Sequence, residues 1–148
     1  MKNEAQAFLE QYEMLYVQIE CLQAEWHQWR DLAHSITAMV GGERVQSSGS
    51  HDKMASAVTK CLAVEDDILR QIERLIDKKD GIKRTLAQLD KPTEYSLLHQ
   101  RYIQFKQLKT IADNFGASYD WATTTHGRAL KSLQKILDER GAENAEGL

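Results

Sequence analysis

Between residues 106 and 131 the chain sets out side chains suited to a phosphodiester backbone and to the edges of stacked bases. Lys106, Gln107 and Lys109 carry donors for phosphate; Ser118, Tyr119, Asp120, Trp121, Thr123 and Thr124 follow with hydroxyls, methyls, two aromatic rings and one carboxylate; Arg128 and Lys131 add two further cations. Groups of this kind divide the work. Cations and hydroxyls on phosphate fix position, whereas hydrogen bonds and methyl contacts at base edges read sequence. Asp120 is the diagnostic member, because a carboxylate repels phosphate unless it accepts from a cytosine amino group or lies against the positive end of a helix. No Arg stands between Lys106 and Arg128, so readout in the first turns would rest on threonine methyls and hydroxyls rather than on the commonest reader of guanine.

Such residues act together only if two short helices and a tight turn hold them. Apolar anchors recur as Leu97, Leu98, Tyr102 and Ile103, then Ile111 and Phe115, then Ala129 and Leu130. Ala112 is small enough for a helix crossing, and Gly116 can take the positive φ of the turn. Ser118 can cap the helix that follows by accepting from an orphan N–H of its first turn. Pro92 suits a first turn and ends whatever helix precedes it. Helices are expected near 92–104, 107–115 and 118–138, forming a helix-turn-helix domain over 91–138, with residues 139–148 as a flexible Gly/Glu/Ala tail.

Upstream, Phe8, Tyr12, Leu15, Ile19, Leu22, Trp26, Trp29, Ala33 and Ile36 alternate spacings of four and three. A second series runs Met54, Val58, Cys61, Glu65, Ile68, Ile72, Leu75, Lys79, Ile82, Leu86 and Leu89. Sustained spacing of this kind predicts a coiled coil, and the Gly- and Ser-rich stretch between the series predicts a turn over 37–50. Residues 1–90 are therefore expected to form a long antiparallel coiled-coil hairpin. One register pairs Phe8 with Ile82, Leu22 with Ile68 and Trp29 with Cys61, and sets Glu65 opposite Trp26 and Lys79 opposite Tyr12. Leu62, Leu69 and Ile76 form a further apolar series that a two-helix hairpin leaves bare. Either the C-terminal helices fold over it or a second copy covers it in a homodimer.

Composition agrees with an all-α protein. Of 148 residues one is Pro and eight are Gly, while 42% are hydrophobic, so long helices are favoured over a many-stranded sheet. Cys21 and Cys61 make neither a disulfide framework nor a zinc site, and no apolar run approaches a membrane span, which points to a cytoplasmic location. The net charge of −3 is unevenly spread: residues 91–137 hold 7 Lys and Arg against 3 Asp and Glu. A local positive block favours contact with polyanions by one module.

The order Leu-x-x-Arg-Tyr, Ile-Ala-x-x-Phe-Gly-x-Ser and Ala-Leu-x-x-Leu over 94–137 resembles region 4 of sigma-70-type RNA polymerase factors. With the stretch Val45 to Met54 and the His126-Gly127-Arg128-Ala129-Leu130 segment, nearly the whole chain is similar to phage- and prophage-encoded regulators related to the RinA/ArpU late-gene activators. The resemblance implies a transcriptional regulator that binds double-stranded promoter DNA, with RNA polymerase as a further partner. The alternative reading is a protein–protein adaptor whose degenerate helix-turn-helix does not read DNA. Ala122 and Thr125 stand where the sigma pattern has larger aliphatics.

Other chemistry is not indicated. His99 and His126 lack Cys or acidic partners at ligand spacing, so neither a metal nor another cofactor is expected. Glu65-Asp66-Asp67 reads as a solvated face, and Gly41-Gly42 with Gly49 as a turn with no phosphate-cradle context. No nucleophile and base can be assembled, so an enzyme is not expected. Gly127 costs a helix about 1 kcal/mol relative to Ala, and close helix packing is its expected reason.

Overall fold

The computed structural model describes residues 3–42 and 48–146, which form α1 (Glu4–Gly42), α2 (Ser48–Leu86), α3 (Pro92–Tyr102), α4 (Leu108–Asn114) and α5 (Tyr119–Glu146). No helix among the described residues is long and apolar enough to cross a membrane. The chain divides into two units: residues 1–14 with 75–148, and residues 15–74. The first unit thus takes residues from both sides of position 90.

The reason lies in the core of the first unit. Ala5, Leu9 and Tyr12 from α1 and Ile82 and Leu86 from α2 are buried in one cluster with Leu97, Leu98, Tyr102, Ile111, Ala129, Leu130 and Leu133. Two short helices and one face of α5 have too little apolar surface to close a core by themselves, and the ends of α1 and α2 complete it. Recruitment uses a face of α1 that the heptads missed: Ala5 and Leu9 are fully buried while Phe8 is only partly so. Polar contacts fasten the same seam. The Ala5 N–H donates to Oε1 of Gln134 at 3.0 Å, and Nη2 of Arg140 donates to the Thr85 hydroxyl at 2.9 Å.

That second contact lies within the expected tail. Residues 139–146 continue α5 instead of fraying at 138. Glu139, Arg140, Ala142 and Glu143 are strong helix formers, and the Arg140 tether outweighs the single interior Gly141. Pro92 opens α3 as expected, with Lys91 as its extended cap residue. Between α3 and α4 the chain turns through Phe105, whose φ of 59° is left-handed although it carries a ring. Its ring stacks on Tyr12 at 5.6 Å between centroids, and that contact holds the backbone in a state otherwise unfavourable for an L-residue.

In the second unit Trp26 of α1 lies against Glu65 of α2, and Trp29 against Lys60. Nε1 of Trp26 donates to Oε1 of Glu65 at 2.8 Å, and Lys60 Nζ sits 4.3 Å from the centre of the Trp29 ring. The α2 seam differs from the heptad reading. Ala57 and Val64 are buried, whereas Val58 is 46% exposed and Glu65 is exposed. Burying the Glu65 carboxylate would cost more than burying Val64, so the helix presents Val64 inward and leaves Glu65 at the edge, within reach of both water and the Trp26 N–H. Gln71 Oε1 is buried here without a hydrogen-bond donor. Cys21 is exposed, Cys61 is half-buried and both thiols are free.

Two further expectations meet different outcomes. Of the expected 37–50 turn, residues 37–42 belong to α1 and 48–50 to α2, and residues 43–47 lie outside the described residues. Leu62, Leu69 and Ile76 are 57%, 61% and 54% exposed.

Candidate nucleic-acid interface

The turn between α4 and α5 is set by local chemistry. Gly116 adopts φ 64°, its N–H donates to the Asp113 carbonyl at 3.1 Å, and the Ala117 N–H reaches back to the Ala112 carbonyl at 2.9 Å. This pair of bonds closes the end of α4 around a left-handed residue, where glycine carries no Cβ penalty. Ser118 then caps α5: its hydroxyl oxygen accepts the Trp121 N–H at 3.1 Å. Ile111, Ala112 and Ala122 are buried where α4 and α5 pack. Ala122 serves this contact although it is smaller than the aliphatic of the sigma pattern.

These constraints sort the candidate residues into two groups. Tyr119, Asp120, Thr124, Arg128 and Lys131 are exposed, and Asp120, Thr124, Arg128 and Lys131 follow one another at spacings of four, four and three, which places them on one face of α5. On α4 and its approach, Gln107 and Lys109 are exposed and Lys106 is half-buried. The second group faces inward. Trp121 is half-buried, packs on the core and lies 5.2 Å from the Phe115 ring, and the half-buried Thr123 spends its hydroxyl on the Asp120 carbonyl at 3.0 Å. Ser118 is exposed, but its oxygen is engaged as the cap.

Gly127 departs from expectation. It is exposed, and a Cβ built there would meet nothing within 4 Å. Close packing therefore does not explain the glycine. It lies between Thr124 and Arg128 on the open side of α5, which spacing alone could not distinguish from the packed side.

Away from this face sits a polar pair that sequence reading did not connect. The Tyr102 hydroxyl and Nε2 of His126 are 2.7 Å apart, with their rings stacked at 5.8 Å. Burial pushes Tyr102 up to about 12, with the carboxylates of Glu10 and Glu13 adding to the rise and Arg101 opposing it. Burial first and then the Arg101 charge push His126 below its ordinary value, so both rings stay neutral near pH 7. His99 is lowered in the same way by burial and by Lys83 and Lys79, and its Nδ1 accepts from the Gln104 amide at 3.1 Å. Both histidines are engaged in the fold. Among the described residues no group of three His, Cys, Asp or Glu side chains could hold a metal ion.

No protein-family model matches the chain, and neither a curated protein nor a solved structure matches it.

Proposed function

We propose that this protein is a DNA-binding transcriptional regulator of the phage type, with α4 and α5 as a helix-turn-helix, α5 as the helix that enters the major groove, and α1 with α2 as an antiparallel coiled-coil hairpin. One observation carries the reading: directly after the Gly116 turn and the Ser118 cap, α5 turns Asp120, Thr124, Arg128 and Lys131 to solvent on a single face. In that arrangement Thr124 meets base edges, Arg128 and Lys131 meet phosphates further along, and Lys109 adds a phosphate contact from α4. Asp120 in the first turn of α5 is favoured by the helix dipole and accepts from a cytosine amino group. RNA polymerase is the further partner the sigma-like pattern suggests. A second copy of the chain is proposed to cover the exposed Leu62, Leu69 and Ile76, and Leu69→Glu should then give a monomer in sedimentation.

A gel-shift titration across a salt series tests the DNA reading. A duplex from upstream of the protein's own gene should bind more tightly than random duplex, with affinity falling as salt rises. Lys109→Ala and Arg128→Ala should each flatten the salt slope by about one unit, whereas changes at Thr124 should alter which sequences bind. The adaptor reading is favoured by one observation, that Trp121 and Thr123 are engaged internally and leave few base-reading groups in the first turns. Absence of any DNA shift, with capture of RNA polymerase intact, would establish it instead.

A further inference from the structure

At the far end of α5 from its cap, a cleft of about 370 Å³ opens between the α2–α3 connection and α5, lined by Leu89, Asp90, Lys91, Glu94, Ile136 and Glu139 among others. At 1.5 Å per residue, Ile136 stands roughly 18 Å along the helix from Thr124, so this surface is separate from the candidate DNA face. Its unusual member is Glu94. The residue is only 5% exposed and lines the cleft, yet its carboxylate accepts no hydrogen bond and forms no ion pair among the described residues. Lys91 and Lys135 border the same cleft, but both side chains are exposed and neither pairs with it.

The stem of the Glu94 side chain is enclosed, while its oxygens, which are not among the fully buried atoms lacking a partner, open into the cleft and keep contact with water there, so their acceptor sites are available to whatever enters. Its place in the first turn of α3 puts it near the positive end of a helix, which accounts for the sign of the charge. That accounts for neither its burial nor its open acceptor sites. The side chains of the cleft do not form a cage for a metal ion. They suit an organic cation on an apolar stem: Leu89 and Ile136 can flank methylenes while Glu94, with Glu139 and Asp90 nearby, accepts from a planar guanidinium. We propose that this cleft is a docking site for an arginine side chain of a partner protein, received by Glu94. Lys91 and Lys135 at the rim oppose a bare cation and so select an arginine flanked by an acidic residue, whose carboxylate they can meet. The inference is independent of the DNA reading, since it rests on a different end of α5.

The test uses the full chain and N-acetyl-arginine amide as probe, followed by amide NMR shifts. Saturable shifts are expected at Lys91, Glu94, Ser132 and Ile136, with a dissociation constant on the order of millimolar for so small a probe. N-acetyl-lysine amide should bind more weakly, because it lacks the bidentate fork. Glu94→Gln, nearly isosteric, should weaken the arginine probe about tenfold, which is the loss of one charge-assisted contact. Lys135→Glu, at an exposed position that folding does not depend on, should tighten it severalfold. Equal shifts from both probes or from sodium chloride at matched ionic strength, or binding unchanged in Lys135→Glu, would overturn the proposal. Should Glu94→Gln prove poorly folded, the Lys135→Glu result decides alone.

Discussion

The Tyr102 hydroxyl and the His126 imidazole share a 2.7 Å hydrogen bond inside the C-terminal helices, joining the end of α3 to the middle of α5. The pair lies on α5 away from the exposed Thr124 and Arg128, and burial together with the Arg101 charge disfavours a charged imidazole there.

Acid should therefore weaken the fold in a defined window. In the unfolded chain His126 titrates near its ordinary 6.5, whereas burial and Arg101 hold the folded imidazole neutral to lower pH. As pH falls, the unfolded chain takes up the proton first, so stability that is complete above about 6.5 is lost progressively below it, down to the folded-state value. His99 adds to the same trend. Urea midpoints should fall between pH 7.5 and 5.5, and His126→Gln should shrink that fall without abolishing it. A midpoint independent of pH in the parent would contradict the burial described for both rings.

The α2 seam makes a second demand. Val64→Asp places a charge at a buried position and should cost about 3 kcal/mol or more. Val58→Asp, six residues earlier and 46% exposed, should stay near neutral, within about 0.5 kcal/mol. Thermal melts of the two variants side by side distinguish this seam from the heptad reading, which predicts the opposite ranking.

Gly127 yields an unusual pairing of outcomes. A Cβ there meets nothing, so Gly127→Ala should raise stability by about 1 kcal/mol through helix propensity. If DNA approaches α5 closely at this point, the same variant should bind duplex more weakly while melting higher. Unchanged binding would place the DNA backbone elsewhere on the helix.

Phe105 separates backbone strain from side-chain packing. Both Phe105→Ala and Phe105→Gly remove the stacking on Tyr12, but only glycine accepts φ 59° freely. The glycine variant should retain about 1 kcal/mol more stability than the alanine variant. Equal losses in chemical denaturation would show that the loop relaxes when the ring is gone.

What could be read from the residues depended on how local the cause was. Gly116 and Ser118 were legible because a turn and a cap are decided by neighbours within a few positions. The choice between Val58 with Glu65 and Ala57 with Val64 was not, since both sets fit helical spacing and only the energetic difference between burying Glu65 and burying Val64 decides it. Ala5 and Leu9 were missed because their burial depends on α3 and α5, far away in sequence. The inward turn of Trp121 and Thr123 likewise follows from packing against Phe115 and from a bond to the Asp120 carbonyl, neither of which residue type reveals.

The bond from the Ala5 N–H to Gln134 spans a sequence separation of 129 residues. Contacts that distant form late, because the entropy of closing so long a loop must be met before they stabilise anything. The corner at Gly116 and Ser118 can form as soon as its own residues are free. On the ribosome the order is awkward: the first turns of α1 emerge long before α5, so Ala5 and Leu9 have no apolar partner from α5 until that helix has been made. Throughout that interval they are exposed to wrong partners, and yield during synthesis should depend on elongation speed and on chaperones that shield an early amphipathic helix.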